Sequence, residues 1–162
     1  MGDHTESVSI DFDPKQVSYE ELLTRFWNSH NAERNHPGRQ YRNVIFYRNA
    51  TQKEAAESSR EKAAAELGID PEQIMTHLVE ATLFTYAEKY HQNYILTRSP
   101  EIRSFLEEVY PSLKDFADSA VATRLNAWLG SGWEIDREKA TEELEAFGLT
   151  DSLKNRVLSA LA

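Results

Sequence analysis

Hydrophobic and polar residues alternate along residues 2–13, and this alternation predicts a β-strand. Val8, Ile10 and Phe12 share one face of the strand, and the same period of two places Glu6 on that face. A carboxylate on an apolar face is poorly solvated, which favours its protonated form and suits a general acid. Glu6 is therefore a candidate catalytic residue, unless a frayed strand end lets the side chain reach water.

Helix-capping residues and runs of β-branched or aromatic side chains predict the remaining elements. In chain order these are a helix over 18–30 with a Ser18–Glu21 capping box, a buried strand over 41–48, a helix over 52–67 between a Thr51–Glu54 capping box and Gly68, a strand over 74–86, and a helix from Ser99 to Pro111. Residues 87–98 are predicted to be a loop or a short helix. The rest is predicted to be helical, with a break at "GSGW" and caps at Asp136 and Thr150. This order predicts an α+β or α/β sandwich with helices on a small sheet.

Charge and composition limit the class of function. The chain has 18 basic and 27 acidic residues and a net charge of -9, which repels nucleic acid and anionic membrane surfaces. No apolar run approaches the roughly 20 residues of a membrane span, and the start lacks a signal-peptide pattern. The 162 residues contain no cysteine, which excludes thiol catalysis and thiolate–zinc sites within this polypeptide. We therefore expect a cytoplasmic protein without nucleic-acid or membrane partners.

The polar loop "NHPGRQYR", residues 35–42, is a second candidate site because it leads into a predicted buried strand. It places His36, Gln40, Tyr41 and Arg42 at the start of that strand. Loops on a rigid scaffold commonly hold binding groups, and a tyrosine can donate a hydrogen bond from an apolar setting. An ordinary turn with surface polar groups explains the same residues.

Two further clusters favour structural interpretations. In "YAEKYHQNY", Glu88 and His91 have only an i, i+3 spacing and no further ligand, so a packed, hydrogen-bonded segment is favoured over a metal site. Phe26, Trp27 and His30 lie at helical spacing and are interpreted as core. No metal site is predicted.

Five separate blocks of residues, in this order, carry a resemblance to a known family. The blocks are "GDHTESVSIDFDP", "SYEELLTRFWNSHN", "GRQYRNVIFY", "QKEAAESSREK" and "AEKYHQNY". They closely resemble peptide methionine sulfoxide reductase of the A type over about residues 2–110. The resemblance implies an α+β sandwich with a ferredoxin-like sheet, which here is incomplete at its N-terminal end and is followed by appended helices. The implied domains are residues 1–111 and a helical extension over 112–162.

In the family, a cysteine in a Gly-Cys-Phe-Trp-Gly motif attacks the sulfur of methionine (S)-sulfoxide while an acid hydrogen-bonds or protonates its oxygen. The resulting sulfenic acid is resolved by another thiol, usually with thioredoxin as the final reductant. The resemblance thus implies an oxidoreductase of protein repair under oxidative stress, with methionine sulfoxide in proteins as substrate and no bound cofactor.

The family's site residues fall on two positions of this chain. Its acid in Gly-His-x-Glu falls on Glu6, and its active-site tyrosine in Gln-Tyr-Arg falls on Tyr41. His36 stands where the family often has aspartate, so that His36 and Gln40 are implied substrate-binding candidates.

The cysteine motif of the family has no counterpart here and should precede residue 2. We therefore expect an N-truncated or degenerate member that is inactive alone, because a serine hydroxyl cannot carry the oxygen away and be regenerated. Thioredoxin is an expected partner only if an upstream cysteine exists. The alternative is a non-catalytic module that binds oxidised-methionine peptides or a protein partner. A missing first strand and helix would leave a sheet edge and an apolar face uncovered, and we expect either that the helices after residue 111 cover that face or that the chain self-associates through it.

Overall fold

The computed structural model of the protein describes residues 4–130 and 135–161. The chain divides into two compact units, Met1–Phe84 and Thr85–Ala162. The predicted break at "GSGW" falls mostly outside the described residues. Among those residues, no helix is long and apolar enough to cross a membrane.

The N-terminal unit is built around a β-α-β connection. Its helices and strands are α1 (Tyr19–Trp27), β1 (Val44–Tyr47), α2 (Ala50–Leu67) and β2 (His77–Glu80), with short 3-10 turns at Arg39–Tyr41 and Pro71–Gln73. The two strands are parallel, with Val44 opposite His77 and Tyr47 opposite Glu80. Parallel neighbours require a long crossover, and α2 provides it. Together with the helices of the second unit, this small sheet confirms the predicted α+β class.

The capping box of α1 is present as predicted. The Glu21 backbone N–H donates to the Ser18 hydroxyl at 3.1 Å, and the Ser18 backbone N–H donates to the Glu21 carboxylate at 2.7 Å. This second hydrogen bond lowers the pKa of Glu21 below its ordinary value. The apolar face of α1 packs through Leu23 against Ile45 of β1 and Ala56 of α2.

Helix α2 begins two residues earlier than predicted, at Ala50 instead of residue 52. Its N-cap is Asn49, whose side chain accepts from the Gln52 N–H at 2.9 Å, while the Gln52 side chain accepts from the Arg48 N–H at 2.8 Å. The predicted Thr51–Glu54 box is therefore wrong, because the Asn49 side chain already satisfies the first free N–H groups. The predicted end at Gly68 is confirmed, since this glycine has a left-handed backbone with φ of 69°.

Replacing Gly68 with alanine is expected to destabilise the N-terminal unit by about 1–2 kcal/mol, because an L-residue with a left-handed backbone is strained. A Cβ added there meets nothing within 4 Å, so the effect reports backbone conformation alone. Urea unfolding followed by hydrogen exchange of peptides from residues 4–84 measures it. Ser58→Ala, at an exposed position of α2, is the matched control and should change stability by less than about 0.5 kcal/mol.

The strand predicted over residues 2–13 is wrong for residues 4–13, and its first two residues lie outside the described part of the chain. Residues 4–13 form no strand, and Val8 is 85% exposed and Ile10 57% exposed. A strand exists only when its backbone groups pair along a neighbour. Here the N–H of Glu6 donates to the carbonyl of Gln40, and the Arg48 guanidinium reaches the Ser9 hydroxyl at 3.3 Å, without a ladder between them.

The two predicted strands that do form are shorter than expected. Of the strand predicted over 41–48, only β1 forms, and in it Ile45 is buried and its neighbours are half-buried. Of the strand predicted over 74–86, only β2 forms. Its pairing with β1 stops where β1 ends, and the last hydrogen bond runs from the Ala81 N–H to the Tyr47 carbonyl.

The aromatic cluster at the end of α1 packs against α2 and against the chain just before β2, in agreement with its structural interpretation. The Trp27 indole donates to the Ser59 hydroxyl at 2.9 Å. The His30 ring lies 2.9 Å from the Phe26 carbonyl through Nδ1 and 3.0 Å from the buried Thr76 hydroxyl through Nε2. Both ring nitrogens of His30 therefore have partners inside the unit.

The C-terminal unit is helical. Its helices are α3 (Pro100–Val109), α4 (Leu113–Ala117), α5 (Ala120–Gly130), α6 (Arg137–Ala146) and α7 (Asp151–Ala160), preceded by a 3-10 turn at Tyr94–Arg98. The predicted caps at Asp136 and Thr150 are confirmed. The helical spacing across 113–128 is divided between α4 and α5, because the buried Ser119 side chain accepts from the Ala122 N–H and starts a new helix.

One buried cluster forms the core of this unit. Its members come from the 3-10 turn and from α3 to α7, with one residue between α6 and α7: Leu96, Ile102, Leu106, Phe116, Ala122, Leu125, Trp128, Ala140, Leu144, Leu149, Leu153 and Val157. The helices after residue 111 thus share a core with those before it. The compact units divide after residue 84, and the predicted division between residues 111 and 112 stays a prediction.

Arg103 holds the tyrosine-rich segment before α3 by hydrogen bonds, as predicted, whereas the predicted packing is not found at Tyr90 and Tyr94, which are 58% and 56% exposed. Its guanidinium donates to the carbonyls of Lys89 at 2.8 Å and Gln92 at 3.3 Å, and to the Glu107 carboxylate at 2.8 Å. The same guanidinium lies 5.1 Å from the centre of the Phe116 ring. Glu88 and His91 approach only to 4.0 Å, at exposed positions.

Candidate functional site

The four residues singled out by the resemblance come together in the N-terminal unit. Gln40 and Tyr41 lie in the 3-10 turn Arg39–Tyr41, His36 lies in the loop before it, and Glu6 lies in the extended segment beside it. Pro37 and Gly38 precede the turn, and the Tyr41 N–H donates to the Gly38 carbonyl at 3.1 Å.

Glu6 and Gln40 are joined by two hydrogen bonds. The Glu6 backbone N–H donates to the Gln40 carbonyl at 2.8 Å, and the Gln40 side-chain amide donates to Oε1 of the Glu6 carboxylate at 2.7 Å. One bond holds the backbone of the segment and the other holds its side chain. Gln40 therefore orients the carboxylate of Glu6.

A second link, through Thr5 and Arg42, fixes the same segment. The Thr5 hydroxyl donates to the Arg39 carbonyl at 3.1 Å and accepts from Nε of Arg42 at 3.2 Å. In the sequence, Arg42 is evident only as a polar group at the start of the predicted strand, and Thr5 was not identified as a site residue. No local signal identifies Thr5, because its partners lie 34 and 37 residues away.

His36 packs on Tyr41 with its ring edge-on. The ring centres are 5.3 Å apart and the planes are inclined by 82°, which is the edge-to-face geometry that aromatic pairs prefer. Nδ1 of His36 accepts from the Gly38 N–H at 3.0 Å. A Cβ at residue 38 would lie 3.2 Å from that nitrogen, so glycine suits this close approach. In the neutral ring, Nε2 then carries the hydrogen.

The site is open to solvent. Tyr41 is 55% exposed, Glu6 and His36 are exposed, and Gln40 is half-buried. The prediction that Glu6 faces an apolar core is therefore wrong, since the segment carrying it is not a strand in a sheet. What the structure provides is a carboxyl group, a phenol and an imidazole, each able to hydrogen-bond a polar oxygen of a ligand.

The surroundings contain no thiol. The 162 residues include no cysteine, and the described part of the chain contains no group of three or more histidine, aspartate or glutamate side chains arranged to hold a metal ion. The arrangement supplies hydrogen bonds and a titratable carboxyl group.

Comparison with known proteins identifies a family for most of the chain. A family model described as peptide methionine sulfoxide reductase matches residues 1–124, ending inside the segment that the resemblance assigns to an extension. A peptide methionine sulfoxide reductase of Drosophila melanogaster is 39% identical over 151 residues, covering 93% of this chain and 58% of the relative.

Two prokaryotic relatives are both named peptide methionine sulfoxide reductase MsrA. The Methanosarcina acetivorans protein is 40% identical over 116 residues, covering 68% of this chain and 58% of the relative. The Rippkaea orientalis protein is 44% identical over 100 residues, covering 57% of this chain and 45% of the relative. The chain thus spans about half the length of the curated relatives it matches. It belongs to the peptide methionine sulfoxide reductase family.

Proposed function

We propose that this chain forms the oxygen-binding half of a methionine sulfoxide reductase site. In this proposal the Glu6 carboxyl and the Tyr41 hydroxyl hydrogen-bond the sulfoxide oxygen, while His36 and Gln40 position them. The observation that carries the proposal is the pair of hydrogen bonds between Glu6 and Gln40, which sets the carboxyl beside the turn that holds Tyr41. Family membership supports the choice of ligand.

The reaction of the family explains why such groups are useful. The sulfur of a thiol attacks the sulfoxide sulfur, the bond between methionine sulfur and oxygen breaks, and the oxygen ends on the thiol sulfur as a sulfenic acid. Methionine and one sulfenic acid are thus formed from one sulfoxide and one thiol. Negative charge grows on the departing oxygen, so a proton or hydrogen bond from a carboxyl or phenol lowers the barrier.

The thiol of this reaction is not among the 162 residues. In the proposal, reduction requires a thiol from outside these residues, which a dithiol reductant such as thioredoxin would then regenerate. Without that thiol the same groups bind oxidised methionine and do not convert it. The expected properties of the chain alone are therefore recognition of the sulfoxide without turnover.

Isothermal titration calorimetry with a methionine-sulfoxide peptide tests the recognition step. We expect the oxidised peptide to bind at least about fivefold more tightly than its unoxidised form, because a strongly polarised oxygen is hydrogen-bonded only in the former. Glu6→Ala and Tyr41→Phe should each remove most of that difference, because each deletes one group that hydrogen-bonds the oxygen.

The matched control is Glu33→Gln, which removes the same charge at an exposed position of the N-terminal unit. This variant should bind like the unmodified chain. Equal affinity for oxidised and unoxidised peptide, or a Glu6→Ala variant that still discriminates fully, would remove the proposed role.

A further inference from the structure

A cleft of about 970 Å³ lies in the N-terminal unit and includes His36 in its wall. The lining comes from α2, from the chain that runs from the 3-10 turn Pro71–Gln73 into β2, from the loop at residues 35–37 and from the end of β1. The ionisable side chains that line it are His36, Tyr47, Lys53, Glu57, Arg60, Glu72 and His77. The cleft and the candidate site share His36, whose ring packs edge-on against Tyr41.

Arg60 is the unusual member of this lining. Lys53, Glu57 and Arg60 follow each other at the i, i+4, i+7 spacing of one helix face, and Lys53 pairs with Glu57 at 3.8 Å. Arg60 is half-buried, and its Nε is shielded from solvent without a hydrogen-bond acceptor among the residues that the structure describes. A buried donor without an acceptor is costly, and Arg60 lines the cleft, so a small turn of its side chain toward the cleft would let a ligand acceptor satisfy the guanidinium.

We propose that Arg60 binds a carboxylate of the peptide that carries the methionine sulfoxide, so that the site prefers oxidised methionine near an acidic residue. The inference rests on the proposed function, because it places the oxidised methionine beside Tyr41 and the flanking peptide in the cleft. The shared residue His36 makes the two places contiguous.

The chemistry of the lining selects one carboxylate as the ligand. A guanidinium presents a planar fork of N–H donors that matches a carboxylate. Glu57 and Glu72 line the same cleft, and the whole chain carries a net charge of -9. These negative charges oppose a polyanion such as a nucleic acid, whereas a single carboxylate needs only one cation, which Arg60 provides.

Calorimetry with a scanned peptide series tests this site. Each nine-residue peptide carries a central methionine sulfoxide among neutral residues, and one aspartate is placed at a different flanking position in each peptide. The control for each peptide has asparagine in place of that aspartate. We expect at least one aspartate position to bind about fivefold to tenfold more tightly than its asparagine control. Arg60→Gln should abolish that gain and leave the discrimination between oxidised and unoxidised methionine in place.

Lys62→Gln is the matched control, because it removes one positive charge from an exposed position on the same helix. The aspartate gain should persist in this variant. The inference is overturned if no position shows a gain, if Arg60→Gln retains it, or if Lys62→Gln loses it equally. A gain through Arg60 with equal affinity for oxidised and unoxidised peptides would support the carboxylate site and contradict the proposed function instead.

NMR spectroscopy of the unmodified chain tests the same site without a substitution, so that its result does not depend on the folding of a variant. The Nε–H resonance of Arg60 should shift on addition of the preferred aspartate peptide and stay unchanged with its asparagine control. Arg60→Lys should retain part of the gain, because lysine keeps the charge and loses the fork. An unchanged Arg60 resonance at saturating aspartate peptide would contradict the inference.

Discussion

Replacing Phe116 with alanine is expected to lower the free energy of unfolding of the C-terminal unit by about 3–5 kcal/mol. Phe116 has no exposed surface and lies in the single core cluster of that unit. Its ring also lies under two cations, with the Arg103 guanidinium at 5.1 Å and the Lys89 ammonium at 5.9 Å from its centre. Alanine leaves a cavity and removes both cation–π contacts.

Because a domain of this size is stabilised by only about 5–15 kcal/mol, the loss should be visible as a much earlier unfolding transition. Urea titration followed by hydrogen exchange of peptides from residues 85–130 and 135–161 measures the C-terminal unit separately. Tyr94→Ala is the matched control, since it truncates an aromatic ring that is 56% exposed in the same unit. If both variants unfold at the same urea concentration, Phe116 does not have the central role in the core that its burial indicates.

Joining a Gly-Cys-Phe-Trp-Gly segment upstream of residue 2 is expected to give a chimera that reduces dabsyl-methionine sulfoxide with dithiothreitol. The unmodified chain should give no product under the same conditions, because it has no cysteine to accept the oxygen. In the chimera, Glu6→Gln should lower kcat by about 10²–10⁴, the usual contribution of a positioned general acid.

Two controls separate the chemistry from the fold in this experiment. A chimera with serine in place of the added cysteine should be inactive, and Glu33→Gln in the active chimera should leave kcat unchanged. Turnover that survives Glu6→Gln at full rate would exclude the carboxyl as a proton donor. Turnover by the unmodified, rigorously purified chain would show that these residues reduce sulfoxides by a different route.

The elements predictable from the sequence are those that depend on neighbouring residues. The end of α2 at Gly68 and the caps at Ser18, Asp136 and Thr150 follow from side chains within one helical turn of the backbone they satisfy. The strand predicted over residues 2–13 had the correct alternation but failed, because a strand also needs a partner, and no local pattern contains one.

The candidate site shows the same division between local and distant information. Alternation placed Glu6 on a buried face, which is wrong. The resemblance pointed to Glu6 and Tyr41, and the structure links these two residues because Gln40, the neighbour of Tyr41 in the chain, hydrogen-bonds Glu6. Arg60 was not identifiable, because α2 is rich in alanine and charged residues and lacks a strong apolar face. Which of its charged side chains becomes shielded depends on β2 and the chain before it.

The amide of Gln40 engages one of the two oxygens of the Glu6 carboxyl group. Its N–H donates to Oε1 at 2.7 Å and leaves Oε2 outside this hydrogen bond. A ligand therefore meets Oε2 on the side of the carboxyl group that Gln40 does not occupy. One side chain, 34 residues distant along the chain, thus makes the two oxygens of this carboxyl group chemically distinct.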